Sequence, residues 1–258
     1  MGLFDKLFEK KICAVCGNEI KIFGNRKLED GNLCKNCANK LSPWFSERRS
    51  STVAEIKEQL DYRERNLEAV KEFRITRTIG GDDVKILLDE HARKFVVTSA
   101  RNLVEDNPDV LDYSQVTGCK INVEEDKNEV QRRDKEGNMV SYNPPRYTYE
   151  YDFYVELYVN HPYFDEMNFK LNSSSIMTTP ETGALPNRTP NPRLHPEYRE
   201  YEQMGQEIVE ILTSVRETAR EEEALASAPK MASTCPWCGA TTVGDENGCC
   251  EFCGGSLK

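Results

Sequence analysis

Eight of the ten cysteines stand in four Cys-x2-Cys pairs, two pairs towards each end of a chain of 258 residues. Cys13-Ala-Val-Cys16-Gly17 and Cys34-Lys-Asn-Cys37 are separated by seventeen residues, Cys235-Pro-Trp-Cys238-Gly239 and Cys250-Glu-Phe-Cys253-Gly254 by eleven. Each pair offers two thiolates to one ion, and the finger between pairs folds back to complete a tetrahedron. The spacing therefore predicts two structural zinc ions, one held by Cys13, Cys16, Cys34 and Cys37, the other by Cys235, Cys238, Cys250 and Cys253. A finger of about 35 residues cannot bury enough apolar surface to fold alone, so the metal must supply its stability. Four cysteines also saturate zinc and leave no open position for water or substrate, as catalysis would require.

Two other uses of the cysteines compete with this reading. Disulfides need an oxidising compartment, whereas the opening Met1 to Lys11 is broken by charge and carries no secretory pattern. Cys-Pro-Trp-Cys resembles a redox dithiol, but that chemistry needs a βαβ scaffold and only twenty residues follow Cys238. Cys250 gives the symmetric spacing, which leaves Cys249 as a spare thiol. Cys119, between Gly118 and Lys120, reads as an ordinary half-buried strand residue.

Charge divides the chain unevenly. Residues 1–50 carry ten Lys/Arg against six Asp/Glu, so the remaining 208 carry −14 of a total of −10. An acidic body does not coat phosphate backbones, and any nucleic-acid role is confined to the first fifty residues. No apolar run approaches the ~18 residues of a membrane span.

Between the cysteine ends, the pattern predicts a helix over 51–72, opened by the capping box Thr52-Val-Ala-Glu55. Val53, Ile56, Leu60, Leu67 and Val70 form its stripe. The period then changes to two. Strands are expected at 73–79, 84–88, 94–98, 116–124, 129–133, 146–160 and 167–171. In the longest, Tyr147, Tyr149, Tyr151, Phe153, Val155, Leu157 and Val159 alternate with polar residues, the mark of one buried face. Residues 172–196 read as a proline-rich loop, and 197–225 as a helix with Tyr201, Met204, Ile208, Ile211 and Val215 on one side.

The expected fold class is α+β. An N-terminal zinc ribbon (1–50) and a connecting helix (51–72) precede a β-rich body (73–226). This body is an antiparallel barrel or sandwich, pleckstrin-homology-like, closed by its long C-terminal helix. A linker and a second zinc ribbon (227–258) follow.

Met1-Gly-Leu-Phe-Asp-Lys-Leu-Phe8, Cys-x2-Cys-Gly at 13–17 and Cys34-Lys-Asn-Cys37 resemble an uncharacterised bacterial family known as a domain of unknown function. Ser114 to Cys119 and Asn160 to Glu166 are similar, less specifically, to companion regions of such proteins. The resemblance implies Firmicute-like bacteria, a cytoplasmic setting and zinc ribbons, and it implies no activity.

The function expected from these residues is a non-enzymatic adaptor or scaffold that docks a protein partner, with no small-molecule substrate. The sequence shows no Ser-His-Asp, phosphate-loop or His-Glu-x-x-His pattern. The alternative is nucleic-acid binding by the basic first ribbon, with Lys21, Arg26, Lys27 and Lys35 on phosphate and Phe23 stacking on a base. Leu3, Phe4, Leu7 and Phe8 fall on one helical face within residues 2–11. Covering the adjacent ribbon is the expected role of that face, with peripheral contact to an anionic membrane as its alternative.

Overall fold

The computed structural model describes residues 11–21, 23–80, 83–179, 189–227, 232–245 and 248–257. The expectation for the apolar face within residues 2–11 lies outside them, save for Lys11. The chain forms two compact units, residues 1–216 and 217–258.

The first unit opens with two small hairpins, β1 (Lys11–Ile12) with β2 (Glu19–Ile20) and β3 (Asn25–Lys27) with β4 (Asn32–Cys34). A single helical turn follows, α1 (Lys35–Ala38). Ile20, Leu28, Leu33 and Leu41 are buried with Cys13 and Cys37, and Ile56 of the next helix completes that cluster. The helix, α2 (Val53–Glu72), starts at the predicted capping box: Thr52 N–H donates to Glu55 Oε2 at 2.7 Å, and Glu55 N–H to Thr52 Oγ1 at 3.3 Å.

The predicted stripe of α2 is only partly the buried one. Ile56, Gln59, Arg63, Asn66 and Val70 are inside, whereas Val53 and Leu60 lie half-buried against the cysteine cluster. Of the polar members, Arg63 and Asn66 are there because they hold the segment 107–110. Arg63 Nη1 donates to Asp109 Oδ1 at 2.7 Å, Ser42 Oγ to Asp109 Oδ2 at 2.7 Å and Tyr62 Oη to Asp109 Oδ1 at 3.1 Å. Asn66 donates to Pro108 O at 2.8 Å and accepts from Val110 N–H at 2.9 Å. A buried carboxylate is tolerated only when paired in this way.

The body holds two four-stranded antiparallel sheets. In the first, β5 (Arg77–Gly80), β6 (Lys85–Asp89), β7 (Lys94–Thr98) and β8 (Val110–Asp112) pair in that order, and the short helix α3 (Leu103–Asp106) lies between β7 and β8 in the chain. Its inner strands are buried on both faces, Ile86 to Asp89 and Phe95 to Thr98, which is why they read as apolar runs rather than alternations. The expected strand at 73–79 starts at Arg77, because Phe73 serves as the C-cap of α2.

The second sheet is built on β9 (Val116–Arg133) and β10 (Met139–His161). β9 lines one side of β10, while β11 (Phe164–Lys170) and β12 (Ile176–Thr178) share the other. Tyr149, Tyr151, Phe153, Val155, Leu157 and Val159 are all buried, as the alternation predicts, whereas Tyr147, expected on the same face, is only half-buried. Helix α4 (Pro196–Ser227) packs on this face: the Tyr198 ring meets Tyr151 and Phe153 with centroids 5.2 and 5.0 Å apart. Its buried residues include Tyr198, Ile208 and Leu212, so the face is rotated from the predicted stripe while keeping Ile208.

Two expectations change. β9 runs unbroken through Asp126 to Asn128, where two strands were expected, because β10 supplies its register across the charged stretch. No closed barrel forms among the described residues: the two sheets share no strand pairing. The far half of β9 is exposed on both faces, and such a strand cannot serve as a wall of a core.

In the second unit, β13 (Ser233–Thr234) and β14 (Thr241–Thr242) form a two-stranded hairpin around the third cysteine pair.

Candidate metal centres

Three of the four cysteine pairs fold as the same turn. The N–H of Gly17 donates to Cys13 O at 2.9 Å, that of Gly239 to Cys235 O at 2.9 Å and that of Gly254 to Cys250 O at 2.8 Å. All three glycines have φ near +70°, a left-handed conformation that a β-carbon penalises. The fourth pair has no glycine because it starts a helix: Cys34 is the N-cap of α1, and its sulfur accepts the Cys37 N–H at 3.4 Å.

These turns bring the eight predicted ligands into two groups, Cys13, Cys16, Cys34 and Cys37, and Cys235, Cys238, Cys250 and Cys253, with all sulfurs of a group within 4.8 Å of one another. Cys16 and Cys34 Sγ are 3.8 Å apart, Cys235 and Cys253 3.6 Å, and Cys238 and Cys250 3.7 Å. A tetrahedral ion with bonds of ~2.3 Å sets its sulfurs ~3.8 Å apart, so both groups fit one ion each. Disulfide sulfurs lie at ~2.05 Å. None of the ten cysteines, all of them among the described residues, is joined in a disulfide.

The electrostatics point the same way. Burial opposes ionisation of Cys13, but the N–H groups of Cys16, Cys34 and Val15 outweigh it and bring the thiol down to about 6. Cys37 is pushed far up, by burial and then by the neighbouring sulfurs of Cys34, Cys16 and Cys13. In the second group the N–H groups of Cys238 and Trp237 overcome burial and bring Cys235 down to about 7. The Gly255 N–H works to lower Cys253, but the Cys238 sulfur, burial and the other sulfurs push it up to about 12. Each group thus yields one proton readily and resists the next, because like charges accumulate. A bound cation removes that resistance.

Cys250, rather than Cys249, completes the second group. Cys249 lies outside it, with its N–H on Asp245 Oδ1 at 2.8 Å. Cys119 is half-buried in β9, and burial pushes its thiol up to about 12, the opposite of an activated nucleophile.

The second unit carries an apolar feature that hydropathy alone does not mark. Trp237 and Phe252, each the third residue of its cysteine turn, are 75% and 72% exposed. The Trp237 ring lies against Gly255, and its Nε1 donates to Ser256 O at 3.3 Å, which fixes the ring across the neighbouring turn.

Of the residues expected on nucleic acid, Phe23 is 93% exposed, Lys21, Lys27 and Lys35 are exposed, and Arg26 is half-exposed. Arg48 and Arg49, not in the predicted set, join them: both Arg26 and Arg49 lower the Arg48 pKa, behind burial as the largest cause. Arg48 Nη1 also donates to Lys27 O at 2.7 Å. Their distance in sequence from Arg26 hid the cluster.

The geometry defines a chain with two four-cysteine groups, one towards each end of the sequence, each placed to hold one metal ion. Its first site falls within residues 11–59, which match a family model described as a domain of unknown function, DUF4428. Comparison with curated proteins and with solved structures finds no match. Among the described residues no helix is long and apolar enough to cross a membrane.

Proposed function

We propose that the protein is a non-enzymatic, cytoplasmic adaptor that holds two structural zinc ions and docks a protein partner. The observation that carries this reading is the pairing of a saturated donor set with bare aromatics. The second cysteine group spends all four sulfurs on one ion, while Trp237 and Phe252 on the same turns stay exposed. Closed coordination leaves the metal nothing to catalyse, and exposed aromatic side chains on a rigid turn are what interface anchors look like. A pleckstrin-homology-like body belongs to the same reading. It rests on one long helix packed against antiparallel strands, without barrel closure.

The test is copurification from cells with the intact chain and with Trp237→Ala/Phe252→Ala. A partner retained by the first and lost from the second, at equal metal content, supports docking through these rings. A partner retained equally by both removes the aromatic anchors from the account.

A second reading has its own observation: Phe23 stands bare three residues before Arg26, which clusters with Lys27, Arg48 and Arg49. Aromatic stacking with a cationic rim suits single-stranded nucleic acid. Binding that weakens steeply with salt and is lost in Phe23→Ala and Arg48→Glu would favour it over a protein partner.

A further inference from the structure

The arm formed by β9 and β10 leaves one strand edge open among the described residues. From Asn122 to Thr148 no residue is buried, so both faces of this two-stranded segment meet solvent. β12 joins β10 only at Tyr149 to Tyr151 and β11 only from Tyr154 onward, so residues 139–148 of β10 have β9 as their sole strand neighbour among the described residues. The outer edge of β9 pairs with no strand among the described residues. An isolated two-stranded ribbon is marginal in water, and an open edge is a template for another strand.

Between residues 122 and 148 the irregularity lies in β10. Ser141 pairs with Gln131 and Arg146 with Val130, so Tyr142 to Pro145 bulge out of β10 while β9 stays continuous. Charged residues usually guard an exposed edge by repelling like strands. On β9 they are arranged otherwise: Glu124, Glu125 and Asp126 precede the centre, Arg132 and Arg133 follow it, and Lys127 and Glu129 flank Asn128.

We propose that two chains associate by antiparallel pairing of β9 with β9, centred on Asn128. In that register Glu124 of each copy lies opposite Arg132 of the other, and Lys127 opposite Glu129. Directly opposite residues share a face, so the four ion pairs form at cross-strand distance and extend each arm into a four-stranded ribbon. Shifting the register by two residues would set Glu125 against Arg133 and Asp126 against Arg132. It would also set Glu129 against itself and Glu124 against Asp134, whereas the register centred on Asn128 opposes no like charges. The charges therefore select the register as well as the partner.

The experiment measures the mass of the intact chain by sedimentation equilibrium over a concentration series. The wild type is expected to form a dimer that weakens with salt. Lys127→Glu/Arg132→Glu and Glu124→Arg/Glu129→Lys should each lose the dimer, because each places like charges opposite one another. An equimolar mixture of the two should regain it, since every opposed pair is then again of opposite sign. Should either double variant lose the wild-type melting transition, Asn128→Lys and Asn128→Asp provide the same comparison with one exposed substitution each. A wild type that stays monomeric throughout, folded variants that stay dimeric alone, or a mixture that stays monomeric would each overturn the proposal. The first of these outcomes would leave the edge to a strand of a different protein.

Discussion

Gln59 is fully buried in α2, and neither end of its amide has a hydrogen-bond partner among the described residues. A buried polar group without a partner costs about 1–3 kcal/mol. Methionine has nearly the same shape and no such cost, so Gln59→Met should raise the free energy of unfolding, measured by denaturant titration, by that order. Asp89 is the opposite case. Burial alone would raise its pKa, but the N–H groups of Ala92, Arg74 and His91 hold its carboxyl below the usual range. The bonds to Ala92 and Arg74 are 2.9 and 2.8 Å long. A depressed folded-state pKa contributes stability above the unfolded value of ~3.9, which is lost as pH falls through the folded value. Asp89→Asn should therefore cost about 1–3 kcal/mol at neutral pH. The gap to wild type should close as unfolding is repeated below about pH 4. A gap independent of pH would assign the loss to packing alone.

At the scale of elements, what was legible followed the range of the interaction that fixes it. The cysteine turns are closed by bonds within five residues, the capping box by bonds within four, and the inward face of β10 by its own alternation, so all three could be read from local pattern. The buried face of α2 could not, because Arg63 and Asn66 are drawn inside by Asp109 and Pro108, more than forty positions away. For the same reason the local pattern predicts two strands where β9 is one: only the register of β10 carries it through Glu125 to Asn128. Gly205 belongs to this class. It permits α4 to approach β9 so closely that an added β-carbon would meet Ile121 Cγ1 at 2.9 Å. Alanine in a helix is worth about 1 kcal/mol over glycine, yet Gly205→Ala should lower the melting temperature because the contact lies near the root of a branched side chain. Adding Ile121→Ala should remove the clash and recover part of the loss. A single Gly205→Ala variant more stable than wild type would show that the two elements can separate without cost.

For the whole molecule, the two metal sites differ in what each supports. Cys13 and Cys37 share their buried cluster with Ile56 of α2, and α2 in turn holds the segment before β8 through Arg63 and Asn66. Loss of the first ion should therefore travel along α2 into the sheet of β5 to β8. The second group lies in the compact unit of residues 217–258. Cys37→Ser is accordingly expected to lower both metal content and the main melting transition, whereas Cys253→Ser should lower metal content by the same single ion and leave that transition in place. Elemental analysis of chain purified without added metal should return two ions per wild-type chain, with zinc as the expected element. Structural zinc in finger peptides is worth about 10–16 kcal/mol at neutral pH, so stripping the first site should be visible in calorimetry even though the body has its own buried strands. Equal effects of the two substitutions on the main transition would mean that α2 does not transmit the loss, and the shared core at Ile56 would then contribute little to holding the first unit together.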